Sequence, residues 1–256
     1  MEVDSKNKNL KRQMQDTLPE ETWKLLKKIG NTADANGVNV YVVGGFVRDI
    51  ILAQENYDID IVAEQNAFEF AKNLGEVFSV KVKLNNRFKT AKILLPGKVC
   101  LDIAAARVET YDHPAALPRV STVDSIYDDL KRRDFTINAM AVNLNHHDFG
   151  RLLDFFNGYD DINKKKIKVL HDLSFVDDPT RIFRAVRFEQ RLAFFIDDYT
   201  EQLLRQAVKQ GFLNKLQSYR INKERSLILQ EPNSAQILKR MKEFKIKLTR
   251  AKDLLP

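Results

Sequence analysis

Two aspartates, Asp58 and Asp60, flank Ile59 in a run, residues 57–63, whose polarity alternates with period two. On a strand, residues i and i+2 point to the same face, so the two carboxylates project side by side while Ile59 and Ile61 point inward. Like charges this close repel unless a cation sits between them. An oxygen-only donor pair suits Mg2+, which keeps several waters and also takes substrate phosphates. A solvated acidic edge strand is the alternative for an isolated Asp-x-Asp. This one follows the run Gly44-Gly45-Phe46-Val47-Arg48-Asp49. A Gly-Gly pair between strand and helix lets backbone N–H groups approach a phosphate, and an arginine in the first helical turn adds a charged clamp. Gly44, Gly45 and Arg48 are therefore candidate nucleotide-binding residues. Asp102, among apolar neighbours in residues 99–106, is either a third carboxylate on an adjacent strand or a strand-end Asp. A phosphate cradle with two or three carboxylates outlines metal-assisted nucleotidyl transfer. One metal activates the attacking hydroxyl and another holds the leaving pyrophosphate.

These residues need a frame. Pro19 opens a predicted helix that carries Trp23, Leu25, Leu26 and Ile29 at helical spacing. Residues 39–47 read as a buried strand that breaks at Gly44-Gly45, with a short helix over 47–53. The run 57–63 reads as a strand, 66–75 as a helix, and 77–84, 88–95 and 99–106 as strands. Residues 107–125 read as a long polar loop and 126–140 as a helix. From Asp160 onward the pattern is almost wholly helical. The fold class expected is an α/β unit, a mixed β-sheet with flanking helices, followed by an all-α region.

Composition excludes several classes. The 256 residues are 44% hydrophobic and 30% charged, against wholesale disorder, collagen or a disulfide-rich scaffold. The net charge of +7 is uneven: residues 1–128 hold 17 basic and 18 acidic side chains, residues 129–256 hold 25 and 17. A basic half suggests a polyanion, with nucleic acid the first candidate and an anionic membrane the second; a solvated basic surface is the alternative. Cys100 is the single cysteine, so no intrachain disulfide forms and a reducing compartment is expected. No run approaches the ~18 apolar residues of a membrane span. Met1 to Gln15 is polar and lysine-rich, without the apolar core of a signal peptide. A cytoplasmic protein is expected.

The motifs in order resemble a known family. Gly44 to Asp49 followed by Asp58-Ile59-Asp60 resembles the first motif of the class II tRNA nucleotidyltransferases and bacterial poly(A) polymerases. Residues 132–139, Arg-Arg-Asp-Phe-Thr-Ile-Asn-Ala, resemble the second motif. Residues 177–188, Asp-Asp-Pro-Thr-Arg-Ile-Phe-Arg-Ala-Val-Arg-Phe, resemble the base-reading motif, and Arg220 to Glu231 a later neck motif. The resemblance spans about residues 35–240. It implies that Asp58 and Asp60 hold Mg2+, that Gly45 and Arg48 meet the nucleotide, and that Arg133 and Asp134 contact ribose and phosphates. Asp134 can accept from a ribose hydroxyl, and Asn138 orders this segment.

The base-reading segment has its own logic. Asp177 or Asp178 is a good N-cap, and Pro179 suits the first turn. At ~100° per residue, Arg181, Arg184, Arg187 and Arg191 fall on one side and Ile182, Phe183 and Val186 on the other. An Asp accepts hydrogen bonds and an Arg donates them. Cytosine and adenine show an amino donor beside an acceptor ring nitrogen, and uracil and guanine the reverse. An Asp178–Arg181 pair therefore accepts C and A and rejects U and G without a template. Arg184 and Arg187 remain for phosphates. The alternative is an amphipathic helix with a wet arginine face.

Two departures stand out. The base-reading motif begins Asp177-Asp178 where the family usually has Glu-Asp, so support of the base-reading Arg is one methylene shorter. The Gly common after the first motif's helix is replaced near Ala53-Gln54. The resemblance implies an N-terminal helical segment (1–34), a nucleotidyltransferase head (35–147) and a helical neck (148–256). Relatives generally continue into body and tail domains that hold the tRNA elbow. The wording of residues 169–176 and 188–191 looks most like the branch that includes enzymes adding only the final adenosine. The choice between A and CCA addition is expected to depend on a flexible loop within 84–98 or 107–125. The expected activity is addition of C and/or A from CTP and ATP to the 3′ end of tRNA, releasing pyrophosphate. A poly(A) polymerase of the same superfamily and a non-catalytic RNA-binding remnant are the alternatives.

Overall fold

The computed structural model describes residues 8–56, 58–85, 89–96 and 99–248. The first residue of the 57–63 strand, the start of the 88–95 strand, part of the 84–98 loop and the ends of the N-terminal segment and neck lie outside the described residues. The chain forms two compact units: Met1–Glu109 with Val120–Ile162, and Thr110–Arg119 with Asn163–Pro256.

The first unit opens with α1 (Lys11–Thr17) and α2 (Glu20–Ala35). Two acidic residues in the first turn of α2 complement the helix dipole, and Trp23, Leu26, Ile29 and Ala33 make its buried stripe. Leu25 is half-buried beside that stripe. Then come β1 (Val40–Val43), α3 (Gly45–Ile51), β2 (Asp58–Ala63), α4 (Ala67–Val77), β3 (Val82–Asn85), β4 (Thr90–Leu94) and β5 (Cys100–Ala105). β6 (Arg107–Thr110) and β7 (Arg119–Thr122) form a two-stranded sheet. They are followed by α5 (Ile126–Lys131), β8 (Ala141–Asn143), β9 (Leu152–Leu153) and α6 (Gly158–Asn163).

Seven strands form one mixed sheet in the order β3-β4-β5-β2-β1-β8-β9. β2 lies between β1, antiparallel to it, and β5, parallel to it. The acidic strand is therefore interior, and the edge-strand alternative fails. Its alternation is as expected: Asp58 and Asp60 are exposed while Ile59 and Ile61 are buried. All four residues of β1 are buried, which explains its unbroken apolar run.

Four secondary-structure expectations need correction. The polar segment 107–125 contains β6 and β7. The helix expected over 126–140 stops at Lys131, and a 3₁₀ turn follows over Thr136–Asn138. The reason is local. The Asp134 side chain accepts from the Phe135 N–H at 2.9 Å, which competes with helical bonding. β8 and β9 extend the sheet where no strand was expected, each too short to show a period. The strand expected from 77 begins at Val82, because α4 runs to Val77.

The second unit contains α7 (Ser174–Asp177), α8 (Thr180–Arg191), α9 (Asp198–Lys209), α10 (Ser218–Gln230) and α11 (Ser234–Glu243). It is not wholly helical: β10 (Lys166–Ile167) and β11 (Phe195–Ile196) pair in parallel. Arg240 of α11 clips the helices together. It donates Nε and Nη2 to the buried Glu189 carboxylate at 2.9 and 3.0 Å and meets Glu201 at 3.2 Å. Its guanidinium lies 4.2 Å from the centre of the Phe244 ring. Among the described residues no helix is long and apolar enough to cross a membrane.

Candidate active site

The first unit gathers the first two motifs. Asp60 stands in register with Asp102 across β2 and β5, so both carboxylates share a face of the sheet. Asp102 is in turn in register with Lys92 of β4, whose Nζ pairs with it at 3.2 Å. The Asp60 carboxylate reaches solvent, but the protein packed around it strips part of its hydration and raises its pKa. Arg133 opposes the rise, Asp102 and Asp58 add to it, and Lys92 opposes it. A carboxylate crowded by two others is relieved by a bound cation, and the oxygen donor set fits Mg2+. Asp58 and Asp60 are thus suited to hold one. Asp102 does not join them in a ready-made cage: among the described residues no three His, Cys, Asp or Glu side chains are grouped to hold a metal ion.

The Gly-Gly turn is dictated by an arginine. Gly44 has φ +71° and ψ −132°, a conformation nearly confined to glycine. A Cβ at Gly44 would sit 2.7 Å from Arg133 Nη1. Gly45 starts α3 and has room for a Cβ, with the Arg48 guanidinium 3.5 Å away. Arg48 corrects the expectation of an outward clamp. It is 3% exposed and turned inward, donating Nε and Nη2 to Asp49 at 2.7 and 2.9 Å and Nη1 to Asn138 Oδ1 at 2.8 Å. Asn138 donates onward to Asp134 Oδ1 at 3.1 Å. The chain Asp49–Arg48–Asn138–Asp134 ties the first motif to the second, so Arg48 braces the site from below. Ala53, where the family usually has Gly, takes φ +52°.

Arg133 is in turn held by Asp129, which sequence reasoning missed. Asp129 is fully buried and accepts from Arg133 Nη2 at 3.0 Å, from Arg132 Nη2 at 2.6 Å and Nε at 3.1 Å, and from the Arg107 N–H at 3.3 Å. Burial pushes its pKa up. The guanidiniums of Arg133 and Arg132, with their hydrogen bonds, overcome that and hold it below the ordinary carboxylate value. The signal was in the sequence: Asp129 precedes Arg132 and Arg133 at i+3 and i+4, the spacing of facing side chains on a helix.

The second unit holds the base-reading segment, and the alternative of a wet arginine face fails for Arg181 and Arg187 of α8. Arg181 and Arg187 are each 5% exposed, so the helix is enclosed on most sides. Arg181 donates Nη1 to Ser174 Oγ at 2.8 Å. Arg187 is held by Glu231 at 3.3 Å and Glu224 at 3.7 Å, which turns it away from the phosphate role expected for it. Arg184 is half-buried against the Phe188 ring. Asp178 Oδ1 accepts from the Thr180 N–H at 2.9 Å, so Asp178 rather than Asp177 closes the turn that leads through Pro179 into α8. Asp177 has its pKa raised by burial, opposed by His171 and Arg181 and reinforced by Asp178. Arg220 of the expected neck motif meets Asp178 at 2.7 Å, a partner that spacing alone did not reveal.

A mixed sheet bearing paired aspartates on an interior strand beside a Gly-Gly turn, with a helical region after it, is the head-and-neck architecture of nucleotidyltransferases. The chain belongs to the family described as Poly A polymerase head domain, whose model matches residues 40–168. It is 47% identical over 224 residues to the A-adding tRNA nucleotidyltransferase of Geobacter sulfurreducens, covering 88% of this chain and 25% of that protein. Its structure is similar to that of a CCA-adding enzyme in an apo form, with TM-score 0.89, 44% identity and coverage of 94% of this chain and 56% of that one. It is also similar to the Thermotoga maritima CCA-adding enzyme complexed with tRNA, with TM-score 0.84, 43% identity and coverage of 94% and 55%. The chain therefore spans a quarter of the Geobacter protein and little more than half of the solved chains.

Proposed function

We propose that this chain is the catalytic head (35–147) and neck (148–256) of a cytoplasmic, template-independent tRNA nucleotidyltransferase. It transfers A and/or C from ATP or CTP to the 3′ hydroxyl of tRNA and releases pyrophosphate. The observation that carries the reading is the pair Asp58 and Asp60, presented side by side on an interior strand with Arg133 and the Gly44 turn in the same unit. The names of the relatives, A-adding and CCA-adding, support the substrate class.

Asp58 and Asp60 hold Mg2+, which when bound supplies hydroxyl activation and neutralises charge on the leaving pyrophosphate. The chain's own residues do the rest. Arg133 brings a fixed cation toward the phosphates, oriented by Asp129 so that it need not reorganise. The Gly44-Gly45 turn lets backbone N–H groups approach the same phosphates, and Arg48 with Asn138 keeps that turn rigid. Asp134, anchored through Oδ1, faces the ribose hydroxyl. Asp178 accepts from the amino group of C or A while Arg181 donates to the ring nitrogen, and Arg184 adds positive charge. Asp102 modulates the charge on Asp60 from the adjacent strand.

Incubation with tRNA lacking its terminal A or its CCA, with each NTP singly, tests the reading. Incorporation of A or C that Asp58→Ala abolishes supports it. No incorporation by the unaltered chain at any Mg2+ concentration sinks it and leaves an RNA-binding remnant, with salt-sensitive binding and no turnover. The family's description favours poly(A) polymerase as a second reading. That enzyme would extend unrelated RNA 3′ ends with long A tails, so product length separates the two.

A further inference from the structure

We infer that Arg220 is a positioning residue for base selection, holding the Asp178 carboxylate in the one plane from which it reads the base edge. The inference rests on the base-reading role proposed above for Asp178 and Arg181. Asp178 Oδ1 accepts three hydrogen bonds: from the Thr180 N–H at 2.9 Å, the Thr180 hydroxyl at 2.5 Å and Arg220 Nη2 at 2.7 Å. None of the three uses Oδ2. One oxygen is thus saturated by the protein and the other is left as an acceptor. The pair is only partly covered, with 21% of the Asp178 side chain and 11% of Arg220 exposed, as a group that meets a ligand requires.

Arg220 is itself pinned at its other nitrogen. Nη1 donates to the carbonyl oxygens of Ala115 and Ala116 at 3.3 and 3.5 Å. The Ala115 N–H donates in turn to the Val176 carbonyl at 3.2 Å, two residues before Asp178. Segment 110–119 of the second unit therefore closes a ring through α7, Asp178 and α10. A planar guanidinium with donors on two edges spans such a gap, whereas a lysine ammonium reaches one side at a time.

The arrangement bears on selectivity because α8 carries other cations. Arg181 lies one turn beyond Asp178, and Arg184 a further turn on. A carboxylate released from Arg220 swings toward Arg181, and the two members of the reading pair satisfy each other instead of the base. A site whose polar groups no longer go unpaired with the wrong base loses discrimination, not turnover.

The test compares the 256-residue chain with Arg220→Ala, Arg220→Lys and Thr180→Val. Each is measured by competition binding of ATP, CTP, GTP and UTP without tRNA and by single-nucleotide incorporation on tRNA. For Arg220→Ala the KM for ATP and CTP rises about tenfold and kcat stays within about threefold. The kcat/KM preference for ATP over GTP and CTP over UTP falls by about tenfold or more. Arg220→Lys recovers part of the preference. Thr180→Val, which removes one bond and keeps the helix, loses about threefold in the same direction. If Arg220→Ala does not fold by circular dichroism, the other two variants decide. Wild type that selects A and C while the variants select equally well overturns this inference alone. Wild type that binds all four nucleotides alike removes the base-reading role itself.

Discussion

Asp129→Asn is the most informative single change in the first unit. The substitution keeps the shape and removes the charge. Asp129 is 0% exposed, and the arginines it holds, Arg132 and Arg133, are 17% and 16% exposed at the side chain. The amide also turns a donor toward a site where all four partners are donors. Removing one member of a buried pair costs about 3–5 kcal/mol. Partial exposure of the arginines favours the lower end, about 3 kcal/mol. That corresponds to a fall in Tm of roughly 6–12 °C for a protein of this size. The pH dependence sets this effect apart from loss of packing. The two arginines hold the Asp129 pKa below its ordinary 3.8, so its stabilising effect is fully present above that value. It is lost as pH falls through the lowered pKa. Melting curves followed by circular dichroism should therefore show a constant gap between wild type and variant near neutrality, narrowing below about pH 4. Arg133, released, should also raise the KM for ATP about tenfold. An unchanged Tm, or a gap that does not narrow in acid, would refute the argument that charge pairing is what Asp129 supplies.

Four further outcomes are expected. Asp60→Asn should abolish incorporation yet raise the metal-free Tm at neutral pH, because the folded state raises the pKa of this carboxyl and so penalises its charge. The gain should fade as pH falls and the wild-type group protonates; a lower Tm at neutral pH would contradict it. Gly44→Ala forces a non-glycine residue to φ +71° and places its Cβ 2.7 Å from Arg133 Nη1. The expected cost is about 1–3 kcal/mol by urea denaturation, with loss of incorporation; Ala53→Gly, at φ +52°, should instead gain about 1 kcal/mol. Arg240→Ala strips the cation from the buried Glu189 and should destabilise the protein by about 3–5 kcal/mol by the same measurement. An effect under 1 kcal/mol would show that the clip adds little.

The chemistry-bearing residues were legible because their rules are local. Period-two alternation put Asp58 and Asp60 on one face, and Gly-Gly at a strand end announced a turn that a side chain would block. Short elements were not legible. β8, β9, β10 and β11 are two or three residues long, below the length at which periodicity separates strand from loop. The 126–140 segment failed for a different reason: Asp134 offered the Phe135 N–H a side-chain bond in place of a helical one, which propensity does not foresee.

By itself the sequence determined which residues carry charge, which alternate and which turns demand glycine, and so the outline of a nucleotide-transferring head. Tertiary structure decided how each charge is spent. Arg48 and Arg187 look like phosphate ligands in one dimension, yet both are buried and neutralised by carboxylates. Arg220 was legible as the start of a neck motif and proves to be the partner of Asp178, 42 residues away. A guanidinium is donor and cation wherever it lies. Its role depends on which carboxylate the fold brings within hydrogen-bonding distance and on how much water remains around the pair. Neither quantity is written in the spacing of residues along the chain.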